Sequence, residues 1–394
     1  MENFKPDICI IGGCGHVGLP LGLSFTHIGK RVLLLDIDET KIKQVQSGTM
    51  PFKEEGAESL LKESLQSNRL LCTSSPEKLS LASYIIIVTG TPLDEYLNPR
   101  LDAITKVLDH YFPYFRDDQI LVLRSTIYPS ISQKIHDYFQ KREKKIHVTF
   151  CPERVIEGEA LKEFSSLPQI VSGFTPVGLE KVKELFSLLT PKLIEMLPLE
   201  AELVKLFANA YRYIHFSIAN QFYMIAASHQ VDFYKLYHAM IEDYPRMKNF
   251  PKPGLTAGPC LLKDTMQLSA FANHHFYLGH AAMLVNENLP RFMVDHLKLN
   301  TSLSDKTVGI LGMAFKAESD DRRDSLSYKL KKILKLEADT VLCSDEYIQE
   351  EDFVSKEELI ERSDIIIIGT PHKKYRDLKL RDRKVLDIWN ILQN

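Results

Sequence analysis

Two short segments of the sequence contain residue types that could support chemistry. Gly13-Cys14-Gly15-His16-Val17-Gly18 has the glycine spacing of a dinucleotide-binding turn, which suggests hydride transfer. Cys260 lies in Gly258-Pro259-Cys260-Leu261-Leu262-Lys263-Asp264, so a thiol stands close to a lysine and a carboxylate. A thiolate can form a covalent intermediate with a carbonyl carbon. Together the two segments predict a dehydrogenase that holds its aldehyde as a thiohemiacetal and oxidises it a second time.

The glycine turn lies between elements that suit a dinucleotide. It follows an apolar strand at Ile8–Ile11 and opens an apolar helix from about Val17 to Ile28. Its glycines would let backbone N–H groups approach a pyrophosphate at the helix N-terminus. Asp36 ends the next strand, where a carboxylate binds ribose hydroxyls and favours NAD over NADP. A flavin is the competing cofactor, and a turn that binds nothing is the structural alternative. The predicted NAD contacts here are Gly13, Gly15, His16, Val17 and Asp36.

Hydroxyl-bearing turns follow two later strands. They are Thr89-Gly90-Thr91-Pro92 and Arg124-Ser125-Thr126. Ligands of a doubly wound sheet bind at the carboxyl ends of its strands, so Thr91 and Thr126 are candidate cofactor contacts. Plain strand-ending turns explain the same residues equally well.

The surroundings of Cys260 leave two interpretations open. The preceding stretch, Pro253–Pro259, is too rich in glycine and proline for regular structure, so the thiol is expected to be accessible. Lys263 would favour the thiolate, and Asp264 could orient a water or take a proton. Taken alone, this segment fits a loop cysteine without chemistry better than a reactive one.

A long helix carries the other candidate polar groups. Glu202, Lys205 and Asn209 are spaced i, i+3 and i+7, so they share one face of this helix. The same face is otherwise largely apolar. These side chains are either paired structural groups or a prepared oxyanion site.

The elements along the chain predict an α/β protein. Apolar strands alternate with helices in the first half, which indicates a doubly wound parallel sheet. A helix of about 30 residues, from Glu200 to about Gln230, interrupts the alternation, which resumes near Thr307. We therefore expect two Rossmann-like domains joined by a long central helix and a helical domain. The expected boundaries are 1–197 for the NAD domain, 198–300 for the helical dimerisation domain and 301–394 for the second α/β domain.

Composition excludes several classes of function. The net charge of −3 across 394 residues offers no basis for binding nucleic acid or an anionic membrane. No stretch approaches the ~18 apolar residues of a spanning helix, and the polar N-terminus has no signal core, which predicts a cytoplasmic protein. The six cysteines are scattered without a C-x-x-C pair, and no H-E-x-x-H pattern occurs, so we expect no metal site. Trp389 is expected to serve packing.

The sequence resembles the UDP-glucose/GDP-mannose dehydrogenase family almost from end to end. The resemblance consists of many short motifs in the family's order. They are Gly13-x-Gly15-x-Val17-Gly18-Leu19-Pro20, Asp36, Gly48-x-x-Pro51, Glu55-Gly56, Thr91-Pro92-Leu93-Asp94-Glu95, Ser125-Thr126, Cys151-Pro152-Glu153-Arg154, Glu157-Gly158, Ala201-Glu202-x-x-Lys205-x-x-x-Asn209, Cys260-x-x-Lys263-Asp264, Leu311-Gly312-x-Ala314-Phe315-Lys316 and Asp320-Asp321-x-Arg323-x-Ser325.

The resemblance implies a reaction and a role for each matching residue. A sugar C6 alcohol would be oxidised to the carboxylate with reduction of two NAD, in a homodimer formed through the long helix. The C-terminal domain, 301–394, would help to bind the sugar nucleotide. Cys260 would be the nucleophile, and Lys205 and Asn209 would stabilise oxyanions and contact the substrate. Asp264 would handle protons and water. The remaining implied roles are thioester hydrolysis for Glu153, proximity to the reacting water for Thr126, substrate contacts for Glu157, Arg246 and Lys316, and cofactor phosphate contacts for Arg323.

Two departures from the family pattern concern the cysteine loop and the helix. The family's Gly-x-Gly-Gly-x-Cys is Leu255-Thr256-Ala257-Gly258-Pro259-Cys260 here, which is poorer in glycine. Pro259 removes a backbone donor and stiffens the approach to the thiol. The family's Asn-Glu on the helix is Asn220-Gln221 here.

The resemblance leaves the sugar and the reaction type open. Cys151-Pro152-Glu153-Arg154 resembles the UDP-N-acetylhexosamine branch, and Cys260-x-x-Lys263-Asp264 resembles the UDP-glucose branch. Of the two, we expect a UDP-N-acetylhexosamine as the substrate. Two alternatives remain: a two-electron β-hydroxyacid dehydrogenase that needs no thiol, and a catalytically disabled nucleotide-sugar-binding protein.

Overall fold

The structure is a computed structural model that describes residues 4–100, 102–256, 258–380 and 383–392. The chain divides between Ala208 and Asn209 into two compact units. Each unit contains its own sheet, and helix α8 (Pro198–Ser228) contains residues of both units. The predicted architecture of two Rossmann-like α/β domains and a long central helix is confirmed, and α8 lies within two residues of its predicted ends.

The first unit is built on an eight-stranded sheet with the order β3-β2-β1-β4-β5-β6-β7-β8. Its strands are β1 (Ile8–Ile11), β2 (Val32–Leu35), β3 (Leu70–Thr73), β4 (Tyr84–Ile87), β5 (Ile120–Leu123), β6 (His147–Phe150), β7 (Gln169–Gly173) and β8 (Leu193–Glu195). Its helices are α1 (Gly18–His27), α2 (Glu39–Gln46), α3 (Ala57–Gln66), α4 (Asp102–Tyr111), α5 (Ile131–Gln140), α6 (Ala160–Ser166) and α7 (Pro176–Ser187), with 3-10 turns at Pro76–Leu81 and Phe112–Tyr114.

Both faces of this sheet are covered, as the continuous apolar strands predicted. Along β1, Ile8 and Ile10 enter one hydrophobic core, whereas Cys9 and Ile11 enter the other. Successive side chains of a strand point to opposite faces, so a strand buried on both faces needs apolar residues throughout. The glycine turn after β1 is therefore held between two packed layers.

The sheet departs from a uniformly parallel arrangement at one strand. The strands from β3 to β6 in the sheet order are all parallel, but β7 runs antiparallel to β6 and pairs Thr149 with Gly173. The irregular segment 151–159 and the short helix α6 connect these two strands, and after them β7 runs in the direction opposite to β6. That irregular segment contains Glu153 and Glu157.

The second unit contains the remaining helices and a four-stranded parallel sheet with the order β10-β9-β11-β12. Its strands are β9 (Thr307–Leu311), β10 (Thr340–Ser344), β11 (Ile365–Ile368) and β12 (Lys384–Leu386). Its helices, after the part of α8 that belongs to it, are α9 (Phe233–Ile241), α10 (Leu261–Phe271), α11 (Tyr277–Lys298), α12 (Leu326–Leu334) and α13 (Lys356–Arg362), with 3-10 turns at Pro245–Met247 and Lys373–Tyr375.

The last strand of the second unit, β12, ends at Leu386, directly before Asp387. The Asp387 carboxylate accepts hydrogen bonds from the backbone N–H groups of Trp389, Ile391 and Leu392. This local capping turns the chain and ends the strand. None of the helices in the described ranges has both the length and the apolarity that crossing a bilayer requires.

Candidate active site

The glycine turn of the first unit has the close packing that a dinucleotide site needs. A side chain at Gly13 would place its Cβ 2.8 Å from Leu34 on β2, and one at Gly18 would meet the Gly12 carbonyl oxygen at 2.5 Å. A Cβ at Gly15 would have Gly12 as its nearest neighbour, at 3.5 Å. The first two glycines therefore permit the tight packing of strand and helix, and Gly15 leaves open space where a pyrophosphate would approach α1.

Asp36 stabilises this turn. One carboxylate oxygen accepts the Cys14 N–H at 2.8 Å, and the other accepts those of Ile37 and Asp38 at 2.8 and 3.1 Å. A carboxylate offers about four acceptor positions, so one remains for a ribose hydroxyl. The residues present fit NAD: a glycine cradle, a helix N-terminus and an acid at the end of β2.

His16 links the turn to a residue expected to contact substrate. Its Nδ1 lies 3.1 Å from Oε1 of Glu157, and its ring packs against Phe52 with the centroids 4.1 Å apart. Glu157 belongs to the segment between β6 and α6. The structure thus brings a predicted cofactor residue and a predicted substrate residue together within the first unit.

Thr91 and Thr126 are also neighbours. The Thr91 hydroxyl donates a hydrogen bond to the backbone carbonyl of Thr126, which joins the turn after β4 to the turn after β5. Both turns lie at the carboxyl ends of adjacent parallel strands. This is the edge at which a doubly wound sheet binds its ligands.

Glu153 is held tightly by its surroundings. Its Oε1 accepts the backbone N–H groups of Arg154 and Val155 at 2.7 and 2.9 Å, and its Oε2 forms an ion pair with Arg124. Arg124 is 1% exposed, and its guanidinium also donates to the Cys151 carbonyl at 3.2 Å. A buried ion pair of this kind fixes the carboxylate in one orientation.

Arg124 was not among the predicted site residues. The signal available in the sequence was a charged residue directly after the buried strand β5, where only a partner could offset the cost of desolvation. Its guanidinium also lies 4.9 Å from the Phe186 ring centroid. The ion-pair partner of Arg124 is Glu153, which follows the next strand, β6. The spacing of the two residues in the sequence does not indicate this pairing.

The three polar residues of α8 have different environments. Glu202 is buried and accepts the backbone N–H groups of Ser130 and Ser132 at 2.6 and 2.9 Å, so it caps the start of α5. Burial raises the pKa of Glu202 despite these hydrogen bonds. Lys205 is half-buried, and Asn209 is buried within the second unit. Glu202 therefore has a structural contact, as one of the two interpretations predicted.

In the second unit, Cys260 lies at the start of α10. It occupies the N-cap position, and its carbonyl oxygen accepts the Asp264 N–H at 2.9 Å. All six cysteines lie in the described ranges; Cys260 is exposed and the other five are buried. Burial raises the pKa of the Cys151 thiol to about 12, which keeps that thiol protonated. A helix N-terminus favours an anion, and the exposed Cys260 occupies this position.

Asp264 is the centre of a buried polar cluster. It is fully buried, and its Oδ2 accepts a hydrogen bond from Asn209 Nδ2 at 2.6 Å. Its Oδ1 accepts the Lys263 ammonium at 2.5 Å. The structure thus places Asn209, Lys263 and Asp264 together, one helical turn from Cys260.

The other predicted residues of the second unit lie on separate segments. Arg323 forms an ion pair with Asp321, with Nε 2.8 and 3.0 Å from the two carboxylate oxygens, and its side chain is 53% exposed. Lys316 is half-buried with its ammonium 5.9 Å from the Phe315 ring centroid. Arg246 is exposed on the 3-10 turn and its guanidinium lies 5.1 Å from the Tyr244 ring centroid. Ala257, in the cysteine loop, lies outside the described residues.

The chain matches one protein family over almost its whole length. Residues 6–190 match the NAD binding domain of the UDP-glucose/GDP-mannose dehydrogenase family, residues 199–288 its central domain and residues 309–394 its UDP binding domain. The order of the three matches follows the order of the elements described above. The glycine turn and Asp36 lie in the first match. Cys260 and Asp264 lie in the second, and Lys316 and Arg323 lie in the third.

Individual relatives cover nearly the same length. A UDP-N-acetyl-D-mannosamine dehydrogenase of Methanocaldococcus jannaschii is 29% identical over 401 residues, covering 98% of this chain and 92% of the relative. A UDP-glucose 6-dehydrogenase of Bacillus subtilis is also 29% identical, over 331 residues, covering 82% and 75%. The solved structure of a UDP-D-ManNAc dehydrogenase from Pyrococcus horikoshii aligns with a TM-score of 0.91 at 26% identity, covering 98% and 96%.

Proposed function

The chain belongs to the UDP-glucose/GDP-mannose dehydrogenase family, and on this basis we propose that it oxidises the C6 hydroxyl of a UDP-sugar to a carboxylate in two steps. It is an NAD-dependent nucleotide-sugar dehydrogenase. Bound NAD supplies the hydride acceptor for each oxidation, so one sugar consumes two NAD. The observation that carries the proposal is the position of Cys260, an exposed thiol at a helix N-terminus, one turn from the buried cluster around Asp264.

The proposed chemistry needs a nucleophile that retains the aldehyde. The first oxidation removes a proton from the C6 hydroxyl and a hydride from C6. The Cys260 thiolate then adds to the aldehyde carbon, and the resulting thiohemiacetal keeps a hydrogen on that carbon for the second hydride transfer. Loss of that hydride, together with the proton of the thiohemiacetal hydroxyl, produces a thioester, and water cleaves its C–S bond to release the acid and restore the thiol.

The cluster around Asp264 is proposed to manage protons and developing charge. The Asp264 carboxylate is bound by one amide and one ammonium group, which keep it oriented in a buried site. Asn209 and Lys205 are the proposed donors to the oxyanions that form on the sugar C6 oxygen. Asp264 is the proposed acceptor of protons from the C6 hydroxyl and from water.

The first unit is proposed to contribute residues that bind the cofactor and residues that assist hydrolysis of the thioester. Glu153 is held by Arg124 and two backbone N–H groups, which suits a carboxylate that must keep one orientation toward water. Thr126 is proposed to lie beside the same water. Further proposed contacts are Gly13, Gly15, His16, Val17, Asp36, Thr91 and Arg323 for NAD, and Glu157, Arg246 and Lys316 for the sugar nucleotide.

A UDP-N-acetylhexosamine is the proposed substrate, and UDP-glucose is the alternative. The M. jannaschii and P. horikoshii relatives are named for N-acetylmannosamine, which supports the first. The B. subtilis relative, named for UDP-glucose, is also 29% identical to this chain, so sequence identity does not favour one of the two sugars. A match to the family's UDP binding domain supports uridine as the base.

A homodimer in the cytoplasm is proposed as the working state. Helix α8 exposes large apolar side chains at spacings that place them on one side, among them Tyr211, Ile218, Phe222 and Ile225. A solvated face of this kind is expected to be covered by a second copy, since isologous pairing is the commonest assembly. The boundaries 1–197, 198–300 and 301–394 remain proposed as those of the functional domains.

Counting NADH per sugar tests the proposal. The purified protein is incubated with NAD and each of UDP-N-acetylmannosamine, UDP-N-acetylglucosamine, UDP-N-acetylgalactosamine, UDP-glucose and GDP-mannose. Two NADH per sugar consumed supports the thioester route and identifies the substrate. One NADH would favour the two-electron alternative, and binding measured by calorimetry without any NADH would favour the disabled binding protein.

A further inference from the structure

The loop that leads to Cys260 packs against aromatic rings at two of its glycines. A side chain at Gly254 would place its Cβ 2.2 Å from Cζ3 of Trp389. A side chain at Gly258 would place its Cβ 2.4 Å from Cδ2 of Phe315. Real Cβ atoms do not approach other atoms so closely, so each ring occupies the space that any larger residue would need.

The glycine nearer to the thiol is constrained in two ways. Gly258 has a φ of +103°, a conformation that residues with a Cβ rarely adopt. Its N–H also donates to the Asp324 carbonyl at 3.4 Å. Cys260 follows two residues later as the N-cap of α10, so the contact between Gly258 and the Phe315 ring lies directly before the helix that begins at the thiol.

Hydrogen bonds also hold the start of the loop. The Gly254 N–H donates to the side-chain oxygen of Asn220 on α8 at 2.8 Å, and the Asn220 amide in turn donates to Asn286 on α11 at 2.9 Å. Both asparagines are fully buried. The Trp389 indole N–H donates to the Gly369 carbonyl at 3.1 Å, which fixes the ring against the sheet that contains β11.

Phe315 itself belongs to the segment expected to bind the sugar nucleotide. It directly precedes Lys316, and its N–H donates to the Asp321 carbonyl at 3.0 Å. The neighbouring Ala314 carbonyl accepts the hydroxyls of Ser325 and Thr370, at 3.2 and 2.5 Å. Since this segment is anchored to the sheet, the ring on Gly258 is anchored with it.

We infer that Phe315 and Trp389 are positioning residues for the Cys260 thiol. They act through the loop backbone, at Gly258 and Gly254, and set where the nucleophile stands relative to the segment that contains Lys316. This inference rests on the proposed role of Cys260. It assigns a function to two side chains whose residue types alone suggest packing.

The test uses three variants and a matched control. Phe315→Leu and Trp389→Leu shrink the two rings, and Trp389→Phe retains an aromatic ring at the loop. Phe353→Leu removes a partly buried ring of the same unit that packs in the core of the β9–β12 sheet. For each protein we would measure the affinity for UDP by calorimetry, the rate at which iodoacetamide alkylates Cys260, and kcat with KM. The alkylation is selective because the other five cysteines are buried.

A positioning role predicts a specific combination of results. Phe315→Leu and Trp389→Leu should lower kcat by about 100-fold, the size of effect that a misplaced reacting group produces. Their alkylation rates should change, and the affinity for UDP should stay near that of the native chain. Trp389→Phe should recover most of the activity, and Phe353→Leu should show only a lower melting temperature.

Two outcomes would overturn the inference. If Phe315→Leu and Trp389→Leu behaved like Phe353→Leu, the rings would only stabilise the fold. If kcat fell only in proportion to lost UDP affinity with unchanged alkylation, Phe315 would be a nucleotide contact instead. Alkylation and UDP binding need no turnover, so they remain informative even if Cys260→Ser retained activity and the proposed function failed.

Discussion

The side-chain amide of Asn209 donates a 2.6 Å hydrogen bond to the buried carboxylate of Asp264. Asn209 belongs to α8 and Asp264 to α10, and 55 residues of sequence separate them. Lys263 binds the other oxygen of the same carboxylate. The two donors therefore hold the carboxylate in one orientation, away from bulk water, which suits the role of proton acceptor that we propose for it.

Substituting Asn209 tests this cluster. Asn209→Ala leaves one oxygen of a buried carboxylate without its donor, so we expect a loss of about 1–3 kcal/mol in the free energy of unfolding. We also expect kcat to fall more than KM changes, because the amide is proposed to stabilise an oxyanion. Urea titration and steady-state kinetics measure the two effects. Asn288→Ala, on the exposed side of α11, is the control and should change neither.

Replacing the nucleophile should separate the two oxidations. Cys260→Ala removes the only group proposed to retain the aldehyde, so NADH should not exceed one per sugar and no acid should form. Mass spectrometry of the sugar product together with NADH absorbance checks this. Cys343→Ala, which removes a buried thiol of the same unit, should retain two NADH per sugar. Acid production by Cys260→Ala at the native rate would contradict the thioester route.

Asp36 should control both the affinity for NAD and the preference over NADP. Asp36→Ala removes the acceptor of the Cys14 N–H and the proposed ribose contact, so KM for NAD should rise by about tenfold, equivalent to 1.4 kcal/mol. Discrimination against NADP should shrink, because no carboxylate would repel its 2′-phosphate. Asp38→Ala is the matched control: Asp38 caps α2 through Thr40 and Lys41, so its loss should cost about 1 kcal/mol of stability without changing cofactor preference.

The buried pair of Arg124 and Glu153 should be expensive to break. Arg124→Met leaves Glu153 next to an apolar side chain, and we expect the free energy of unfolding to fall by about 3–5 kcal/mol. The exposed pair of Lys62 and Glu58 provides the comparison, and Lys62→Met should lower the free energy of unfolding far less, because solvent screens this pair. Equal effects of the two substitutions in urea titrations would show that the buried pair contributes no more than a surface pair.

Glu202 should make stability depend on pH in a defined direction. Burial raises its pKa in the folded state above the ordinary value of 4.5, so folding favours the protonated acid. Its contribution is then fully present below the unfolded pKa and is lost as pH rises through the folded pKa. We expect the stability of the native chain relative to Glu202→Gln to decrease as pH rises from about 4.5 toward neutrality, measured by urea unfolding at each pH. A difference that increased over this range would contradict the assignment.

Local sequence determined most of the architecture and the cofactor turn. The glycine spacing at 13–18, the apolar strands around it and the acid at position 36 interact over short distances, and the close approaches at Gly13 and Gly18 follow from having no side chain there. The long apolar helix could also be predicted, because helical periodicity over 31 residues clearly distinguishes a helix from a strand. Strands β3 and β8 have a weaker pattern, because β3 alternates buried and half-buried residues and β8 has three residues, none of them buried.

Which polar groups meet was decided by the tertiary structure. The sequence placed Glu202, Lys205 and Asn209 on one helical face, but only the fold directs Glu202 to the N-terminus of α5 and Asn209 to Asp264. Likewise, Arg124 and Glu153 follow different strands and pair because β5 and β6 are neighbours in the sheet. Periodicity specifies the side of an element on which a residue lies; the partner it finds there depends on long-range packing, which no local spacing encodes.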